Sequence, residues 1–156
     1  AGRAAPAGAP AAPAAPARGP APNPRVNIVK QDFVRLTLGM FAASFDSYPL
    51  TFAYAGQAEA PQGIADVLDV KGPANFALRL FVYRETHLPV MVSWQTQAQG
   101  KPVENRLYYA DYRDVDGLKM PFRLRRAVGT NTVEETSFDR YRFNVKIDPK
   151  KFEVRR

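Results

Sequence analysis

The chain has 156 residues, 46% of them hydrophobic, with a net charge of +7 and no cysteine, a length that fits one domain with its own core. The missing cysteine excludes thiol chemistry, disulfides and zinc–thiolate sites, and no run reaches the roughly eighteen apolar residues of a membrane-spanning helix. The charge does not argue for nucleic acid: Arg3, Arg18 and Arg25 stand alone near the front, and the other 19 basic residues alternate with 15 acids, as on a solvated sheet face.

Residues 1 to 24, "AGRAAPAGAPAAPAAPARGPAPNP", hold seven of the fourteen prolines and otherwise only Ala, Gly, Arg and one Asn. Frequent proline blocks helix propagation, and alanine and glycine offer little surface to bury, so this tract is expected to be a disordered, polyproline-like linker. The chain opens on Ala1 with this linker and shows no signal-peptide pattern, which reads as either a removed leader or, the expectation the linker favours, a position inside a longer protein.

Asn23-Pro24 reads as a helix start, with asparagine as cap and proline in the first turn. The spacing predicts a helix over 24–44. Val26, Val29, Phe33, Leu36 and Met40 form one apolar stripe, and Val34, Leu38, Phe41 and Phe45 a second flank. A helix apolar on two sides either packs on a sheet and leaves a flank for a ligand or partner, or is buried between two layers.

After the helix the period changes to two. Strands are expected at 50–59, 64–71, 75–84, 88–97, 103–115, 118–128 and 132–143, with turn residues between them, and a last short strand around Phe152 to Val154. Short hairpin connections require antiparallel neighbours, so the fold class is mainly β (α+β), a curved antiparallel meander with one packed N-terminal helix. Pro121, inside an otherwise regular strand, marks an edge, a bulge or a bend.

Within "DYRDVDGLKMPFRLRR", residues 111 to 126, Asp111, Asp114 and Asp116 precede Gly117 like the acids of a calcium loop. Such a loop needs a bidentate acid six residues after the glycine, and Arg123 stands there, so the segment reads as an Asp-Gly hairpin turn and no metal is expected.

No catalytic constellation emerges. His87 is the only histidine, and Ser44, Ser47, Ser93 and Ser137 lie outside any Gly-x-Ser-x-Gly elbow. Glu134 and Glu135 are adjacent on a strand and point to opposite faces. There is no glycine-rich phosphate loop. The expectation is a non-enzymatic protein without a cofactor.

Large apolar residues do recur at alternating positions: Phe52 and Tyr54; Phe76, Leu78, Leu80 and Val82; Leu107 and Tyr109; Leu118, Met120, Phe122 and Leu124. One helix of about twenty residues, about 30 Å long, does not cap seven strands at about 4.8 Å each. Either the uncovered part is a cavity, or the sheet rolls tightly enough to fill its own inside.

The same segment "DYRDVDGLKMPFRLRR", followed by "VEETSFDRYRFN" and "NVKIDPKKFEV" and preceded by "FVYRETHLPVMVSW", resembles the second half of periplasmic proteins of the outer-membrane lipoprotein-carrier (LolA-like) superfamily. Ile147, Asp148 and Phe152 stand at the positions of that family's Ile-Asp-x-x-x-Phe ending. The resemblance spans residues 26 to 156 and implies a half-barrel of antiparallel strands over helices, a concave apolar face for acyl chains and a periplasmic address. It also implies that residues 25–156 are the C-terminal piece of a longer protein. The expected binding residues are Phe41, Phe45, Phe52, Tyr54, Leu78, Leu80, Val82, Leu107, Tyr109, Leu118, Met120 and Phe122. The expected partner is a lipid or lipoprotein acyl chain, or the N-terminal half of the parent protein. The alternative is an interaction module that pairs through an open sheet edge near residues 50–59.

Overall fold

The computed structural model describes residues 24–41 and 45–152; the expected linker up to Asn23, the Asn23 cap and Val154 lie outside them. Helix α1 runs Pro24–Phe41 and is followed by seven strands, β1 Thr51–Ala60, β2 Gly63–Gly72, β3 Phe76–Tyr83, β4 Pro89–Ala98, β5 Lys101–Val115, β6 Leu118–Val128 and β7 Asn131–Ser137. They form one open antiparallel sheet in sequence order, with β1 and β7 as its edges.

Local chemistry fixes the hairpins. Asp116 and Gly117 have φ of 52° and 83°, the two positive values of a type I′ turn, and Val115 pairs with Leu118 across it. Gln99 and Gly100, at 51° and 74°, make the same kind of turn between β4 and β5. The three aspartates of the apparent metal loop serve this hairpin: Asp114 accepts the Gly117 N–H at 3.1 Å and pairs with Lys119, and Asp111 holds Arg113 at 2.5 Å.

The chain departs from expectation at its end. β7 stops at Ser137 rather than 143, because its partner β6 reaches Pro121, which has no N–H to continue the ladder. Phe138 donates the last backbone bond to the Phe122 carbonyl, and the Tyr141 hydroxyl donates to the Pro121 carbonyl. Phe152 does not begin a strand. It closes a single 3₁₀ turn, Pro149–Phe152, in which Asp148 accepts the Lys150 and Lys151 N–H groups.

The core lies between α1 and one face of the sheet. Val34 and Leu38 of the helix meet Val70, Phe76, Leu78, Leu80, Val92, Tyr109 and Leu124, and Tyr48 closes one end edge-on to Phe76. Leu38 and Val92 are fully buried, each worth about 1.5–3 kcal/mol of transfer free energy. Arg35 places its guanidinium 4.7 Å from the Trp94 ring and 5.4 Å from that of Phe76, and pairs with Asp32. The side chain thereby keeps a charge partner while its stem covers apolar surface.

Candidate functional site

Because strand side chains alternate, the residues between the core positions point to the opposite face. There the register sets one unbroken row across the sheet: Gly56, Val67, Phe81, Met91, Tyr108, Arg125 and Glu135 are successive ladder partners from β1 to β7. This row crosses a cavity of about 1000 Å³ bordered by residues of all seven strands, at the upper end of the size of small-molecule sites. Phe81, Met91 and Tyr108, all half-buried, supply its apolar floor. Alanines 58, 60, 65 and 110 leave space beside them, and the β1–β2 turn at Pro61 and Gln62 forms one rim.

Its charges are mostly compensated. Arg106 pairs with Glu104, Arg123 with Glu135, and Asp111 with Arg113. The Glu104 carboxylate, with the Tyr108 hydroxyl beside it, pushes the Arg106 pKa up, and the Arg113 hydrogen bond holds Asp111 below the usual carboxylate range. Arg125 differs: its guanidinium carbon lies 4.4 Å from the centroid of the Tyr108 ring, and among the described residues no carboxylate pairs with it.

The twelve residues expected from the sequence fall into three groups. Leu78, Leu80, Tyr109, Met120 and Phe122 are buried, the first three in the core beneath α1. Val82 and Leu107 are half-buried against that core. Phe41, Phe45, Phe52, Tyr54 and Leu118 are exposed. Of the twelve, only Tyr109 also borders the cavity. Of the residues missed, Phe81, Met91, Tyr108 and Arg125, the first two had a signal: "LRLFVY" and "PVMVSW" carry apolar residues at both parities, so both faces of these strands have something to touch.

His87 sits exposed in the β3–β4 turn with φ 57°, its N–H given to the Tyr83 carbonyl. Among the described residues no serine hydroxyl is hydrogen-bonded to it, no group of three or more His, Asp or Glu is placed to hold a metal ion, and no helix is long and apolar enough to cross a membrane. No protein-family model, curated protein or solved structure matches the chain.

Proposed function

We propose that the protein is a non-catalytic binding protein for an acyl chain or a similar amphipathic ligand, held across the sheet face that points away from the helix. The observation that carries this is the cavity of about 1000 Å³ whose floor is the Phe81, Met91 and Tyr108 row. Apolar burial drives such binding, at about 25 cal/mol per Å² before ordering costs. The LolA-like resemblance supports the acyl class and the periplasmic address. Displacement of a fluorescent fatty acid tests it: the wild-type protein should take up the probe, and Met91→Glu should weaken uptake at least tenfold, about 1.4 kcal/mol, while the protein still melts cooperatively. Absence of uptake by a folded wild-type protein removes the reading.

A second reading rests on β1. Its ten residues carry one charge, Glu59, and they are exposed along nearly the whole strand, with Phe52 and Tyr54 at 44% and 62% of full exposure. An edge without lysine or proline is a template for a partner strand, either the N-terminal half of a parent protein or a second copy. Concentration-dependent sedimentation that Phe52→Pro abolishes, at a residue whose amide points away from β2, is the outcome this reading requires.

A further inference from the structure

We infer that Arg125 is the head-group anchor of the cavity, so that the ligand is an amphiphile with an oxyanion head, a long-chain carboxylate rather than a neutral acyl chain; this rests on the binding function proposed above. Three arginines border the cavity, and two are committed: Arg106 to Glu104 and Arg123 to Glu135. Glu135 stands opposite Arg125 in the ladder and is drawn instead to Arg123. Arg125 therefore keeps an uncompensated charge at the cavity wall, with its guanidinium carbon 4.4 Å from the centroid of the Tyr108 ring.

Contact with an aromatic ring positions a guanidinium without using up its forked N–H donors, which match a carboxylate in pairs. Arginine also stays protonated at any pH the fold survives. From Tyr108 the row continues through Met91 and Phe81 to Val67, three strand spacings or about 14 Å of largely apolar floor. A head held at Arg125 thus sends its tail along that floor.

The experiment compares decanoate with decanol on the wild-type protein, Arg125→Gln and Arg125→Lys, by calorimetry and probe displacement. Decanoate should bind the wild type at least tenfold more tightly than decanol, Arg125→Gln should erase that ratio and leave decanol binding unchanged, and Arg125→Lys should restore part of it. Equal binding of the two by the wild type, or a decanoate affinity that Arg125→Gln leaves intact, overturns the anchor while the hydrophobic site stands. Binding of neither overturns the site and the anchor together.

Discussion

Tyr109 brings the sheet into close contact with the helix. Its ring lies so near Gly39 that a Cβ built there would stand 1.8 Å from Tyr109 Cζ, and its hydroxyl donates to the Arg35 carbonyl at 2.7 Å. Glycine inside a helix costs up to roughly 0.5–1 kcal/mol of propensity, and at Gly39, in the last turn of α1, the ring contact is what it permits. Gly39→Ala should lower stability by about 1–3 kcal/mol, read by urea titration; an unchanged midpoint would mean that the helix rides higher on the sheet. Burial pushes the Tyr109 and Tyr112 phenols well above their ordinary value near 10. Below pH 10 the folded and unfolded chains both keep these protons and stability is undiminished. As pH rises past 10 only the unfolded chain loses them, so stability falls, by up to about 1.4 kcal/mol per pH unit for each tyrosine. Tyr109→Phe, which also gives up about 1 kcal/mol of hydrogen bond near neutrality, should make that alkaline decline shallower. An identical slope in mutant and wild type would contradict the burial.

Among the elements, the hairpins were the most legible. Asp116-Gly117 implied a tight turn because a turn with two positive φ angles selects such residues locally, and the sequence order of the strands followed from loops too short for a parallel crossover. The helix was legible as a helix but not in its orientation. Its two apolar flanks have similar hydrophobicity, and only packing decides between them. The structure buries Val34 and Leu38 beside Thr37 and Gly39, whose small side chains allow close approach, and leaves Val26, Val29 and Phe33 of the other stripe exposed. The second flank itself divides, because Phe41 is half-exposed and Phe45 stacks on Phe33 outside the core, with ring centroids 5.9 Å apart. Two substitutions on this one flank should therefore behave oppositely. Leu38→Ala should cost about 2–5 kcal/mol, whereas Phe41→Asp should shift stability by no more than about 0.5 kcal/mol. Thermal melts of the pair check the orientation, and a large loss on Phe41→Asp would put that flank inside.

At the scale of the whole molecule, alternation gave the sheet two faces but not their roles. The row of Leu78, Leu80 and Tyr109 looked like a ligand face because it is the most apolar, and for that reason the helix covers it; the more mixed row of Phe81, Met91, Tyr108 and Arg125 keeps the space. A single open sheet with one helix is also held unevenly. β4 and β5 are paired on both sides and lie under α1, whereas β1 has a neighbour only in β2 and little cover on either face. Amide hydrogen exchange should reproduce this gradient. The buried stretches of β4 and β5 should exchange only through global opening, and the β1 amides that point away from β2 should exchange faster by roughly two orders of magnitude or more. The measurement also tests self-association through the edge. Fast β1 exchange that persists as protein concentration rises leaves the edge free and removes a second copy as its partner. Protection of those amides that grows with concentration means that a second copy covers β1, because a hydrogen-bonded partner strand is what removes such donors from water.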